Sequence, residues 1–310
     1  MLRFSSLIFL FFFSCSTKEY ADIVLDEIPQ DQMDFQKMII AHLSGEIPIT
    51  SAKGNDVSIH DRWSKKGRRL SEEFLKKTIE AIGLVPEVHS YTIRNPHFAV
   101  DLLIEPLKGR NVYTTLPSTS GSDEYILLGA HYDTGGKEVP GAIDNGSGIA
   151  LILSVLRRAK ELTFRNKNLM VVFFDQEEES ISAGSVSFAR HSNDKNLKIH
   201  SVHSFDMIGW DADNNKELAL ELPSKELEDI YKKHANLLNI PNYSTTVNSS
   251  DYYSFIKEGI NAIGISQAYG KGDHSGKKDT PEDKYPLVNF EYLESSTQLA
   301  FEVVKEIIND

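Results

Sequence analysis

Alternating strand and helix patterns in the second half of the chain predict an α/β fold, a three-layer sandwich around a mixed sheet whose central strands run parallel. Two observations carry that expectation. Apolar strand-like runs at 125–130, 169–174, 201–208, 217–221 and 261–266 are separated by helical patterns at 145–162, 183–191, 225–238, 251–258 and 288–308. Several of those apolar runs then end in acids or histidines, as expected where a parallel sheet presents its carboxyl ends to a ligand.

Taken in order, the chain opens with MLRFSSLIFLFFFSC: Arg3, an apolar run from Leu7 to Phe13, then Ser14 and Cys15. This is a secretory signal layout. The run is shorter than the roughly 20 apolar residues that span a bilayer. Cys15 is the single cysteine, and a small residue followed by Cys resembles a lipobox, so an extracytoplasmic protein is expected, membrane-anchored through an acylated Cys15 or, with a plain cleaved signal, periplasmic or secreted. The polar, aperiodic stretch 16–31 reads as a tether. Phe35, Met38, Ile39 and Leu43 then mark one face of a short helix. A second helix is expected from Ser71, as N-cap, to a stop at Gly83. Strands at 88–93, 98–105 and 111–116 are expected to extend the sheet antiparallel. In the first long helix Ile149, Ile152, Val155, Leu156 and Ala159 share a face. With neither repeat nor linker, residues 32–310 read as one domain.

Composition narrows the partners. The 310 residues carry a net charge of −12 and are 40% hydrophobic. That is enough apolar material for a sizeable core, and the wrong sign for nucleic acid, which is bound by clustered Lys and Arg. One cysteine excludes an internal disulfide. Three short motifs fail on inspection: DNGSGIA has Leu151 where a dinucleotide loop needs glycine, GKGDHSGKK lacks the first glycine and the Ser/Thr of a phosphate loop, and Ser147 has Asn145 where a nucleophile elbow needs glycine.

The strand ends are richer. His131 and Asp133 follow ILLGA with one residue between them, so an extended backbone turns both to one side and Tyr132 to the other. Glu177, Glu178 and Glu179 follow the next strand, and Asp206 closes the one after. Asp144 opens the first long helix in PGAIDNGSG, and His274 follows the last strand. Carboxylates gathered this way repel one another unless a cation sits among them, and imidazole with carboxylate donors suits zinc.

The ordered set GAHYDT, PGAIDNGSGIA, FFDQEEE, FDMIG and a late His ahead of DTPED resembles the M28 family of zinc peptidases, over residues 60–308. The resemblance implies a di-zinc exopeptidase, an aminopeptidase acting on peptide substrates. His131 and Asp206 would ligate one ion, Glu178 and His274 the other, and Asp144 would bridge them. Asp133 would hold the His131 ring, and Glu177 would be the general base, with Glu179 as its alternative. Asp279, before TPED, occupies a slot where many members carry the ligand His and is the alternative to His274. Val247 and Tyr252 stand where members often carry Tyr and His, which leaves the carbonyl-polarising group unassigned between Tyr252 and Tyr253. Loops at 137–140, 209–215 and 243–253 would set residue preference. A single-zinc glutaminyl cyclase, related in fold, is the alternative activity, and a metal-free binding module is a third reading.

Overall fold

The computed structural model describes residues 23–25, 27–94, 106–178 and 182–310. The signal segment with Cys15, the expected strand 98–105 and Glu179 lie outside the described residues. In chain order the elements are β1 (Ile23–Val24), α1 (Gln32–Leu43), β2 (Ile49–Ser51), β3 (Asp56–Val57), α2 (Lys65–Ile82), β4 (Glu87–Ile93), β5 (Leu107–Leu116), β6 (Glu124–His131), α3 (Gly148–Lys160) and β7 (Asn168–Phe174). There follow α4 (Ala183–Asp194), β8 (Lys198–Asp206), β9 (Leu218–Glu221), α5 (Lys225–Leu238), β10 (Asn242–Thr245), α6 (Asp251–Lys257), β11 (Ala262–Gln267) and α7 (Phe290–Asn309). Among the described residues no helix is long and apolar enough to cross a membrane.

The main sheet has eight strands in the order β10-β9-β11-β8-β6-β7-β5-β4. Its centre is parallel, β6 pairing with both β7 and β8, and β11 with β8. β4 and β5 extend it antiparallel, as expected for the early strands. Every residue of β7 is buried, and the reason is visible in its alternation. Leu169, Val171 and Phe173 enter the larger core, which also receives side chains of α1, α2, α3, α5 and α7. Met170, Val172 and Phe174 enter the smaller one, with Phe188 of α4 and Phe255 of α6. Helices thus cover both faces, giving the three-layer sandwich, and each such side chain buried contributes about 1.5–3 kcal/mol.

Three local expectations change. The second helix starts about two turns earlier than Ser71: Ser64 is its N-cap, accepting from Gly67 N–H (3.1 Å), while Ser71 sits inside and returns its hydroxyl to the Gly67 carbonyl (3.0 Å). The apolar face from Phe74 onward hid the polar first turns KKGRR. Its end at Gly83 is as expected, with φ +86, a left-handed conformation suited to glycine. Within the stretch read as a tether, Ile23 is buried and β1 pairs antiparallel with β2. β10 had no apolar signature because it is a four-residue edge strand, half-buried or exposed throughout, pairing with β9 alone.

Candidate metal centre

The parallel register brings the strand ends level. His131, the last residue of β6, pairs with Phe174, the last of β7, and the Tyr132 N–H continues the ladder to the Phe174 carbonyl at 2.8 Å. Tyr132 turns away and is buried, its hydroxyl donating to the Arg110 carbonyl (2.8 Å). Asp133 turns back toward His131, with Oδ1 3.5 Å from Nδ1. The same carboxylate accepts the backbone N–H groups of Glu177 (3.0 Å) and Glu178 (3.2 Å). One side chain therefore lies between the imidazole of β6 and the acidic turn after β7, whose backbone it holds.

Asp144 lies in the irregular turn ahead of α3, after a cluster of glycines and small residues. Asp283 grips that turn, its carboxylate accepting from Ile143 N–H (2.9 Å) and Asp144 N–H (3.0 Å). The Asp144–Asn145 peptide is cis. Asn145 then spans to the end of β8, donating to the Phe205 carbonyl (2.8 Å) and accepting from Met207 N–H (3.3 Å). The Ser147 hydroxyl accepts from Ile208 N–H (2.9 Å). These polar residues of DNGS fix where the Asp144 carboxylate points.

The result is a buried group. Donor atoms of His131, Asp144 and Glu178 all lie within 4.8 Å of one another. His131 Nε2 is 3.1 Å from Asp144 Oδ1 and 3.3 Å from Asp206 Oδ1, and Asp206 Oδ2 accepts from the Ser250 hydroxyl (2.8 Å). Glu177 shares the turn with Glu178. Asp279, at φ +57, packs its carboxyl against Gly135, with Glu178 close by. His274 is placed apart from that contact set: its ring is exposed and stacks on Tyr269 at 4.7 Å, though it lines the same cavity of about 340 Å³ as Asp144 and Asp279.

Electrostatics show what the group lacks. Burial pushes the Glu177 carboxyl up to about 8. Burial and then Asp144 push Glu178 up to about 9. Burial also opposes charge on His131 and Asp144, but their neighbours prevail: Asp206, Asp133 and Asp144 raise the imidazole well above its usual range, and Lys278 and His131 hold Asp144 below the carboxylate range. Lys278 Nζ is 3.1 Å from Asp144 Oδ2. Yet neither Asp144 oxygen, nor Glu178 Oε1, makes a hydrogen bond of normal geometry, although all are buried. Buried carboxylate oxygens without hydrogen bonds, gathered beside an imidazole nitrogen, are the donor set a divalent zinc-like ion requires, so the residues fit a metal.

Several participants had no sequence signal strong enough to single them out. Asp251, fully buried at the start of α6, has neither oxygen hydrogen-bonded, and burial pushes it up to about 7. It stands in the SSD stretch, where the neighbouring substitutions at 247 and 252 drew the attention. Lys278 closes the GKGDHSGKK stretch that fails as a phosphate loop, Asp283 closes DTPED with no role of its own there, and Arg62 stands in no motif. Glu221 flanks the site, accepting from the Ser266 hydroxyl at 2.7 Å, and burial pushes it up to about 7. A raised carboxyl supports the fold in its neutral form, fully below about pH 4.5, and that support is lost as pH rises through 7. Glu221→Gln is therefore expected to match the parent at pH 4.5 and to exceed it by about 3 kcal/mol at pH 8.5 in urea unfolding. Parallel pH profiles for the two proteins would contradict this.

Comparison with known proteins first defines the class of fold. BSAP, a zinc aminopeptidase from Bacillus subtilis, superposes with a TM-score of 0.76 at 15% identity, covering 92% of this chain and 97% of that one. Glutaminyl cyclase of Porphyromonas gingivalis superposes with a TM-score of 0.68 at 19% identity, covering 92% and 100%. At such identities the likeness is one of fold. Residues 111–304 match peptidase family M28, and the chain belongs to that family. In sequence, Aminopeptidase Y of Saccharomyces cerevisiae is 26% identical over 295 residues, 85% of this chain and 52% of that protein. The chain spans about half the length of the curated relatives it matches.

Proposed function

We infer that the protein is a zinc-dependent aminopeptidase acting on peptides outside the cytoplasm, anchored through an acylated Cys15. The observation that carries the reading is the largely buried His131–Asp144–Glu178 group at the carboxyl ends of parallel strands, with both Asp144 oxygens and Glu178 Oε1 lacking a hydrogen bond. The aminopeptidase relatives support the choice of reaction.

His131, Asp144, Asp206 and Glu178 would hold the metal, with Asp144 between two ions. Asp279, already against Glu178, takes the last position in preference to His274, because its carboxyl is the one that meets the group. Bound zinc supplies a water acidified toward neutrality and a Lewis acid for the scissile carbonyl. Glu177 would accept a proton on its carboxylate and return it to the departing amine. Asp133 keeps the His131 ring oriented with Nε2 facing the carboxylates, and by holding the N–H groups of Glu177 and Glu178 it sets both acids at once.

Chelation of the full chain followed by zinc readdition, assayed over a panel of amino-acid anilides, tests this. Activity is expected to vanish with the chelator and return with zinc, at two ions per chain. The glutaminyl cyclase likeness, which covers that enzyme's whole length, favours a second reading: one ion, with pyroglutamate formed from glutaminyl peptides and anilides untouched.

A further inference from the structure

We propose that the turn between β8 and β9, together with Asp273 from the loop after β11, is a calcium site separate from the metal centre. The stretch DADNNK at 211–216 sets Asp211, Asp213 and Asn215 at positions one, three and five of a calcium-binding loop. In such loops position six must turn sharply and is usually glycine. Here it is Lys216, which adopts φ +63, and its N–H donates to Asp211 Oδ2 at 3.2 Å. Position twelve, ordinarily a bidentate Glu, falls on Leu222, which offers no side-chain oxygen. Asp273 supplies the missing carboxylate from a different loop: oxygens of Asp211, Asp213 and Asp273 lie within 4.8 Å of one another.

A second observation points to a ligand. Asp211 is 7% exposed, and its Oδ1 is buried with no hydrogen-bond partner. An oxygen left bare in that way costs free energy that only a donor or a cation recovers. Lys271, two residues before Asp273, is not that cation, because its ammonium is paired with Glu217 at 2.6 Å. Every donor in the group is oxygen, with neither imidazole nor thiolate, which selects a hard cation. A loop assembled from two chain segments tolerates the larger, irregular shell of calcium better than the tight octahedron of magnesium. The Asp273 carboxylate already accepts from Ala212 N–H at 3.0 Å, so the two loops approach without the ion. Asp273 also shares its loop with Lys278, Asp279 and Asp283, so the cation would pin the segment that completes the metal centre.

The site is independent of the peptidase reading, and its test is built to stay so. The zinc-loaded full chain is titrated with terbium, read through the emission sensitised by Trp210, which adjoins Asp211. Sensitised emission is expected, with displacement by calcium and a rise in melting temperature on adding calcium. Asp213→Asn and Asp273→Asn should each weaken calcium binding at least about tenfold. Asp213 is exposed and Asp273 half-exposed, and circular dichroism will show that the variants fold. Glu177→Ala should bind calcium as the parent does. Absence of sensitised emission together with no calcium-dependent melting shift at about 10 mM calcium would overturn the proposal, as would binding unchanged in both asparagine variants.

Discussion

Glu177→Ala is expected to retain its zinc and its melting temperature while losing about 10³-fold in kcat, the usual worth of a general base. The argument is one of division of labour within a single turn. Glu177 and Glu178 both donate their N–H groups to Asp133, so the backbone is fixed and the two carboxyls are free to differ in task. Glu178 joins His131 and Asp144 in the donor group; Glu177 does not, and is the acid proposed for proton transfer. Metal content by mass spectrometry and kcat on an amino-acid anilide decide the matter together. Zinc lost along with activity would make Glu177 a ligand, and activity retained would move the base to another acid.

Arg62→Ala is expected to destabilise the protein by about 3–5 kcal/mol in urea unfolding. Arg62 is fully buried, and its guanidinium donates to four carbonyls: Tyr132 (2.6 Å), Leu43 (2.8 Å), Pro140 (2.5 Å) and Gly141 (2.8 Å). Burial pulls it down to about 10, with Asp283, Asp133 and Asp144 opposing, so it stays charged at neutral pH. Its removal would leave several buried acceptors bare between the end of β6 and the Asp144 turn. Gly141, at φ +62, is part of the same arrangement, since a Cβ there would meet an Arg62 nitrogen at 2.6 Å. Arg62→Lys should recover little, because one ammonium cannot reproduce the fork. An unfolding midpoint unmoved by Arg62→Ala would show that water or rearranged backbone satisfies those carbonyls.

The fold was legible where burial is two-sided or periodic. β7 reads as a strand because all its residues meet a core, and α3 reads as a helix because one face does. The centre was legible where chemistry sits at a strand end: His131, Asp133 and Asp206 follow from where the apolar runs stop. What stayed hidden was whatever depends on distant chain segments meeting. Nothing local in DRW announces that Arg62 will bind four carbonyls, and nothing in DTPED says that Asp283 will grip the Asp144 turn. The late motif shows the limit most clearly. Spacing made His274 and Asp279 rivals, and only the path of the loop after β11 sets one beside Glu178 and the other on Tyr269.

The donors proposed for the metal come from the tips of β6, β7 and β8, from the turn ahead of α3 and from the loop beyond β11, so on that reading no contiguous fragment owns a full set. Zinc capture by that set would then be among the last events of maturation, after the final strand has docked between β8 and β9. Truncation before residue 279 should leave a polypeptide that builds most of the sheet yet holds the ion weakly, so metal retention would serve as a readout of completed assembly.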